Sequence, residues 1–433
     1  MNIYATHLKK LLSTIIKEIS EHSSDYIVSN TNHLSRKRKW DLSTLIHFVL
    51  SAGSNSLGYE IGEFFEYKEG FPSVSSFVQQ RQKLHYSAFQ FLFNSFNTRT
   101  TKRPQLFKNY RILSVDSSAL SLPYNPKEKN VIAENHVSTL HLNALYDVIN
   151  KQFLDVLIQR ALQKNECGAA CELVDRIPEQ YPVILLADRG YESYNLFAHV
   201  EERLFDYAIR IKDSKNRGMI TGIDLPDTDE YDVTKRIVIT RHSTGPAAIM
   251  PSTYKYFSKG ARFDYIKDNK GSDYEMQIRF VRFRLSENNY EVLATSLTEK
   301  EFSANDLKEL YHLRWGIETG FRELKYILGL AAFHSKKENS VLQEVFARLI
   351  MYNFSMKIVQ RVSIKEKDRR YQLQVNFTQA AKICLNFFRH KNEQPPYNIE
   401  ATIQRFLLPI RPNRKRQQES VSITVVSFNY RLT

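Results

Sequence analysis

One short apolar run constrains the fold of this chain more than any other feature. The run is Val183-Ile-Leu-Leu-Ala187, which Pro182 precedes and Asp188-Arg-Gly190 follows. Such a run is too short for a helix, and a strand without polar alternation must be covered on both faces. The run therefore predicts a central strand of a sheet with helices on both sides, which is an α/β fold.

A second run of the same kind is Ile112-Leu-Ser-Val, which Asp116 and Ser117-Ser118 follow. We predict that this strand ends at Asp116, as the first ends at Asp188. The carboxyl ends of strands in α/β sheets are where sites form. The alternative is that each aspartate caps a helix or makes a turn, as Asp often does after a strand.

The segment from Tyr311 to Lys325 predicts a single helix with two stripes. On a helical projection Tyr311, Arg314, Glu318 and Lys325 fall within about 60°, whereas Glu323 points away from them. Beside this polar stripe runs an apolar one: Leu310, Leu313, Ile317, Phe321, Leu324 and Leu328. The apolar spacing indicates docking on a core. The polar stripe is either a site or a solvated face with spaced ion pairs.

Taken together, two aspartates at strand ends and one glutamate on a packed helix favour a site. Two divalent cations about 4 Å apart need several carboxylate oxygens on rigid elements. Asp116, Asp188 and Glu318 would supply them. The coincidence of all three is harder to explain by caps and ion pairs than any one residue alone.

These residues carry a resemblance to a known family. The order Asp116, Asp188, Glu318, with Tyr-x2-Arg-x3-Glu-x6-Lys around the glutamate and Asp-Arg-Gly-Tyr at the second aspartate, resembles DDE transposases of the insertion-sequence-four family. Softer similarity includes residues 72–84, 145–148 and 153–155. The resemblance implies a ribonuclease H-like core, two Mg²⁺ ions for which Mn²⁺ can substitute, and cleavage and joining of double-stranded DNA at transposon ends. It also implies a homodimer that acts on paired inverted ends and a target DNA.

The resemblance assigns roles to individual residues. Asp116, Asp188 and Glu318 would be the catalytic residues and the metal ligands. The expected DNA contacts are Tyr311, Arg314, Arg322, Lys325, Arg189 and the basic run Arg36, Lys37, Arg38, Lys39. These side chains would hold phosphates without reading bases. The basic run could equally be a solvated segment before a helix.

The expected architecture is an α/β fold whose ribonuclease H-like mixed-sheet core is interrupted by a β-rich insertion and preceded by a helical domain. We predict a helical DNA-end-binding domain at 1–105, core segments at 106–213 and 298–362, the insertion at 214–297, and a helical region with a basic tail at 363–433. Interleaved Arg and Phe in the insertion suit either stacking on unpaired bases or an amphipathic strand pair. Related enzymes hold a flipped base with a Trp in this region, but the two Trp residues here are Trp40 and Trp315. Tyr254, Tyr256 and Phe257 are the substitutes we consider.

Composition is consistent with a nucleic-acid partner. Lys and Arg total 61 against 47 Asp and Glu, a net charge of +14, which suits a polyanion. No apolar run approaches the roughly 18 residues of a membrane span, so we expect a soluble, cytoplasmic protein without a membrane partner. Cys167, Cys171 and Cys384 form neither a disulfide framework nor a zinc pattern.

Two other functions remain open at this stage. A metal-dependent nuclease with the same core would cut without joining. A transposase-derived DNA-binding protein would bind without cutting, although the intact acids and signature argue against it.

Overall fold

The computed structural model describes residues 2–28, 39–101, 103–127, 138–178, 180–213, 218–266, 273–287, 289–364, 370–390 and 397–411. The part before the first strand is helical: α1 (Ile3–Glu21), α2 (Leu42–Ser51), α3 (Leu57–Phe64), α4 (Val74–Arg81) and α5 (Ser87–Thr100), with a short 3₁₀ turn at Ser23–Tyr26. Asp41 begins α2 by accepting a hydrogen bond from the amide of Thr44 at 2.7 Å, as expected of an N-cap aspartate.

A large mixed sheet forms the centre of the molecule. Its strands are β1 (Arg111–Leu122), β2 (Ser138–Asp147), β3 (Gln152–Arg160), β4 (Val183–Ala187), β5 (Asp206–Ile211), β6 (Tyr231–Thr240), β7 (Tyr254–Tyr256), β8 (Tyr274–Ser286) and β9 (Asn289–Thr295). Their order is β3-β2-β1-β4-β5-β9-β8-β6-β7. The pairs β1–β4, β4–β5 and β6–β7 are parallel, and the other pairs are antiparallel.

The strand β4 is the predicted central strand. Every residue of β4 is buried, and β4 lies between β1 and β5. The prediction that the neighbouring strand ends at Asp116 is wrong, because β1 continues to Leu122. The reason is non-local: β2 pairs with β1 from Leu113 to Leu122, so the backbone beyond Asp116 still has hydrogen-bond partners.

The strands of the predicted insertion extend the same sheet. The link is β9, which pairs antiparallel with β5 through Ala208↔Thr295 to Ile211↔Val292. In β8, Phe280 and Phe283 are buried, and Arg279 is a buried partner of Asp232 at 2.6 Å. These positions fit the amphipathic-strand alternative rather than stacking on unpaired bases.

The remaining elements cover the two faces of the sheet. They are α6 (Glu166–Asp175), α7 (Tyr194–Glu202), α8 (Pro246–Ile249), α9 (Ala304–His312), α10 (Trp315–Arg322), α11 (Glu338–Val359), α12 (Phe377–Arg389), α13 (Ile399–Gln404), and a small ribbon of β10 (Leu373–Val375) and β11 (Leu407–Pro409). One hydrophobic cluster joins α1, α2, α5 and α9–α13 to one face. A second joins α6 and α7 to the other. The helix α11 is buried along almost its whole length.

Two further expectations concern single features. All three cysteines lie in described segments and are free thiols. Within the described ranges, no helix combines the length and the apolar composition needed to cross a membrane.

Candidate active site

Asp116 and Asp188 lie on neighbouring segments just beyond the point where β1 and β4 stop pairing. The parallel pairing of β1 with β4 ends at Ser114↔Leu186, and each aspartate stands two residues beyond that pair. Because neighbouring strands lie about 4.8 Å apart, the two carboxylates begin from adjacent backbone positions. Asp116 accepts a hydrogen bond from the amide of Ser117 and Asp188 one from the amide of Gly190, both at 2.8 Å.

Glu318 comes from α10, which packs in the same hydrophobic cluster as α11. The predicted single helix is wrong in detail, because α9 ends at His312 and α10 begins at Trp315. Between them the amide of Arg314 bonds to the carbonyl of Tyr311 at 3.0 Å, a three-residue spacing that tightens the chain. A π-helical turn, Glu323–Ile327, follows α10.

The predicted apolar stripe docks this broken helix as expected. Leu310, Ile317, Phe321, Leu324 and Leu328 are buried, and Leu313 packs on the same cluster while partly exposed. A Cβ at Gly320 would lie 3.1 Å from the ring of Tyr146. Glycine therefore lets α10 approach the sheet closely and brings Glu318 toward the two aspartates.

Arg314 holds Glu318 but is itself incompletely bonded. Its guanidinium lies 2.9 Å from the Glu318 carboxylate, and the Arg314 side chain is 5% exposed against 42% for Glu318. The same guanidinium lies 4.5 Å from the ring centre of Trp315. Neither Nε of Arg314 nor the hydroxyl of the buried Tyr311 has a hydrogen-bond partner among the described residues. An unpaired buried polar group costs about 1–3 kcal/mol, so the site retains unused donors.

The charges of the three acids act on one another. Burial raises the pKa of Asp116 to about 6, and the negative charges of Asp188 and Glu318 act in the same direction, while the Ser117 amide and Arg314 oppose them. The three carboxylates therefore share one electrostatic environment, which disfavours their joint ionisation without a cation.

Their donor type fits a hard divalent cation, because all the candidate ligands are carboxylate oxygens. In the described part of the chain, however, no three His, Cys, Asp or Glu side chains gather closely enough to hold an ion. Glu318 is instead engaged by Arg314. The residues fit the ion in chemistry and charge, and the ligand geometry is not assembled in this arrangement.

The predicted DNA contacts are placed differently from one another. Arg189 directly follows Asp188, and Arg322 lies one helical turn after Glu318; both are exposed, as is Lys39 in the N-terminal part. Tyr311 and Arg314 are buried. Lys325 donates to the carbonyl of Ala119 on β1 at 2.8 Å, and burial lowers its pKa. Arg36, Lys37 and Arg38 lie outside the described residues.

Several residues near the site were not singled out in the sequence. Trp315 is half exposed beside Glu318. A cavity of about 540 Å³ is lined by Arg189, Arg210, Lys212, Tyr290 and their neighbours. Arg210 and Glu291 pair there at 3.0 Å. The Arg210–Glu291 pair joins β5 to β9, so no local sequence pattern could have predicted it.

The substitutes considered for the base-holding Trp lie elsewhere. Tyr254 and Tyr256 belong to β7 and Phe257 follows it. β7 is separated from β4 by β5, β9, β8 and β6, a distance of roughly 24 Å at the usual strand spacing. Trp40 is also excluded from such a role, since it is buried among Phe48, Phe65 and Phe77.

Comparison with known proteins finds similarity to transposases over a short part of the chain. The putative transposase InsL for insertion sequence element IS186A of Escherichia coli K12 and the transposase for insertion sequence element IS421 of Escherichia coli are each 41% identical over 59 residues, which are 14% of this chain and 16% of those proteins. The aligned part thus spans about a sixth of these relatives. A cryo-EM structure of the piggyBac transposase synaptic complex with hairpin DNA superposes with a TM-score of 0.46 at 11% identity, covering 96% of this chain and 87% of that one.

A family profile covers far more of the chain. The profile described as transposase DDE domain matches residues 108–354, a span from just before β1 to within α11 that includes Asp116, Asp188 and Glu318. On that match, the chain belongs to the transposase DDE domain family.

Proposed function

We propose that this protein is a transposase that binds transposon ends and catalyses metal-dependent cleavage and strand transfer of DNA. The observation that carries the proposal is that Asp188, which follows β4, and Glu318 on α10 lie near enough to Asp116 on β1 for their charges to help raise its pKa. Membership of the DDE family supports the same chemistry. Within that family we place the chain in the insertion-sequence-four group, on the Tyr-x2-Arg-x3-Glu-x6-Lys spacing.

The catalytic core is proposed to be ribonuclease H-like. Its support is the order β3-β2-β1-β4-β5, three antiparallel strands followed by two parallel ones. The strands β6–β9 would then be the insertion at 214–297, and the core would resume at 298–362. The helical segments 1–105 and 363–433 would flank it.

Asp116, Asp188 and Glu318 would hold divalent metal, which we propose to be two Mg²⁺ ions with Mn²⁺ as a substitute. Held by these carboxylates, the ions would supply the Lewis-acid chemistry that an in-line phosphate displacement needs at its attacking and leaving oxygens. The all-oxygen ligand set suits Mg²⁺.

The other residues of the site would position the DNA and the Glu318 carboxylate. Arg314 holds the Glu318 carboxylate beside the aspartates. Arg189 and Arg322, which are exposed, would contact phosphates near the scissile bond, and Lys325 would do so from its place beside β1. Tyr311 would orient the DNA backbone with its unpaired hydroxyl. These are contacts that fix register without reading sequence.

Recognition of the ends is assigned to the N-terminal part. The run Arg36, Lys37, Arg38, Lys39 would neutralise backbone phosphates and make binding salt-dependent. We propose that two copies of the chain act together on paired inverted ends in the cytoplasm and join them to target DNA.

The test is an assay with purified protein, Mg²⁺ or Mn²⁺, and labelled DNA that carries the ends flanking its coding region. Metal-dependent cleavage and joining, lost in Glu318→Ala, would support the transposase. Cleavage without joining would favour a nuclease, and binding alone would favour an inactive descendant. Replacing residues 36–39 by alanine should weaken end binding, whereas Asp116→Ala should leave binding intact and abolish cleavage.

A further inference from the structure

The first turn of α6 lies against both aspartate-bearing segments. Asn165 caps this turn by accepting a hydrogen bond from the amide of Gly168 at 2.9 Å. A Cβ at Gly168 would come within 2.4 Å of the Asn165 side chain, so glycine is required for this cap. The cap fixes where the next two residues, Glu166 and Cys167, are presented.

Glu166 contacts the segment that holds Asp116. The hydroxyl of Ser117 donates a hydrogen bond to the Glu166 carboxylate, and the amide of Ser117 donates to Asp116 at 2.8 Å. Lys164 lies 3.2 Å from Glu166. Although burial opposes them, Ser117 and Lys164 lower the pKa of Glu166, so this carboxylate remains a charged and strong acceptor.

Cys167 contacts the segment that holds Asp188 in a parallel way. Its thiol lies 3.4 Å from the carbonyl of Gly190, to which it donates. The amide of Gly190 in turn donates to Asp188 at 2.8 Å. Glu166 thus bonds to Ser117, whose amide donates to Asp116. Its neighbour Cys167 bonds to Gly190, whose amide donates to Asp188.

Tyr191 fills the space between these contacts. It is 3% exposed, and burial, followed by the charges of Asp116, Glu166 and Asp188, raises its pKa well above the ordinary value. The phenol therefore lies near all three carboxylates.

We propose that Glu166 and Cys167 are positioning residues that set the separation of Asp116 and Asp188 for metal binding, an inference that rests on the proposed function. Both aspartates stand beyond the last β1–β4 pair, so the strand ladder does not fix their spacing. Two ionised carboxylates that share a site repel each other. The turn of α6 opposes that repulsion by holding both segments from one rigid element.

The test measures Mn²⁺ binding to the full-length, DNA-free protein from the free-ion electron paramagnetic resonance signal. Glu166→Ala should weaken Mn²⁺ affinity about 10-fold or more, the scale for groups that orient metal ligands. Glu166→Gln should stay near wild type, because its amide oxygen still accepts from Ser117. The matched control is Glu172→Ala, on the same helix with its side chain 53% exposed, which should leave affinity unchanged.

Two further variants keep the test decisive if Glu166→Ala folds poorly. Ser117→Ala removes the same bond from the other side and should give the same loss, and the double variant should be no weaker than either single one. Cys167→Ala should weaken Mn²⁺ binding less, since a thiol is a weak donor, while Cys167→Ser should restore it. End binding by each variant should match wild type.

The outcomes separate the inference from the function beneath it. Wild-type affinity in Glu166→Ala and Ser117→Ala would overturn the positioning role. Equal losses in Glu166→Gln and Glu166→Ala would also overturn it, because the carboxylate would then act by its charge or as a ligand. Asp116→Ala should abolish Mn²⁺ binding; if it did not, the proposed metal site itself would fail, and the inference with it.

Discussion

Two arginine–glutamate pairs in this molecule each have a buried arginine and nearly the same length, but their glutamates differ in exposure. Arg81 lies 2.8 Å from Glu344, and both side chains are at most 5% exposed. Arg81 also donates to Gln343 and to the carbonyl of Ser340. Glu344 also accepts from the amide of His334. This pair, which ties α4 to α11, is closed.

Arg314 and Glu318 form the open counterpart at 2.9 Å. Here Nε of Arg314 finds no partner among the described residues, and the glutamate is 42% exposed. A buried ion pair repays its desolvation only when its remaining hydrogen bonds are made. In the closed pair, the remaining hydrogen bonds are made within the fold. In the open pair, Nε of Arg314 stays available to a bound ligand.

The largest effect that separates the two pairs should be on catalysis. Glu318→Gln should lower single-turnover end cleavage about 10³-fold or more, the scale for removing a group that stabilises transition-state charge. Its unfolding free energy should change by less than about 1 kcal/mol, because the amide oxygen of Gln can still accept the hydrogen bond from Arg314. The matched control is Glu323→Gln in the following turn, because Glu323 accepts a hydrogen bond from the Tyr352 hydroxyl and makes no hydrogen bond with Arg314 in the described structure. An equal loss of cleavage in both variants would contradict the assignment of Glu318.

The closed pair should show the reverse behaviour. Arg81→Met leaves the Glu344 charge buried without its main partner and should cost about 3–5 kcal/mol of unfolding free energy. Urea denaturation followed by circular dichroism would measure it. Cleavage per folded molecule should stay near wild type. A loss below about 1 kcal/mol would mean that the closed pair is not structural.

Local patterns in the sequence predicted the buried strand before Asp188 and the packed helix that carries Glu318. The apolar run before Asp188 and the stripe beneath Glu318 each report burial through their own spacing, and both are confirmed as β4 and as the docked face of α10. The family and the mixed α/β architecture followed from the same residues. These features were predictable because strand and helix burial are encoded within a few residues of each position.

Features that depend on distant residues were not predictable. The extension of β1 past Asp116 is set by β2, and the bond between Ser117 and Glu166 spans 49 residues. Arg81 belongs to a segment noted for its similarity to the family, yet it proved to be a buried partner of a residue 263 positions away. Periodicity alone does not distinguish a structural arginine from one that contacts substrate.

The pH dependence of stability should sharpen the comparison at the metal-free site. Because the pKa of Asp116 is raised to about 6 from an ordinary 3.8, its ionisation in the folded state costs stability above pH 6. That cost disappears as the pH falls through 6 toward 4. Asp116→Asn should therefore stabilise the EDTA-treated protein by about 1–3 kcal/mol at pH 7.5, and clearly less at pH 4.5. An identical difference at both pH values would contradict the shared environment of the acids.

The smallest expected effect distinguishes an unused hydroxyl from a used one. Tyr311→Phe removes a buried hydroxyl that lacks a partner in the described structure, so the unfolding free energy should rise by about 1 kcal/mol. Tyr352→Phe should cost about 1–2 kcal/mol, because that hydroxyl bonds to Glu323 at 3.1 Å and to Tyr146 at 2.9 Å.

Cleavage should rank the two tyrosine variants in the opposite order. If the Tyr311 hydroxyl serves the DNA backbone, Tyr311→Phe should lower single-turnover cleavage about 10-fold, the effect of about 1.4 kcal/mol in the barrier, while Tyr352→Phe stays near wild type once folded. A Tyr311→Phe protein that cleaves normally would show that the unpaired hydroxyl destabilises the fold and has no role in cleavage. The open pair beside it would then have only the Nε atom of Arg314 left to offer a ligand.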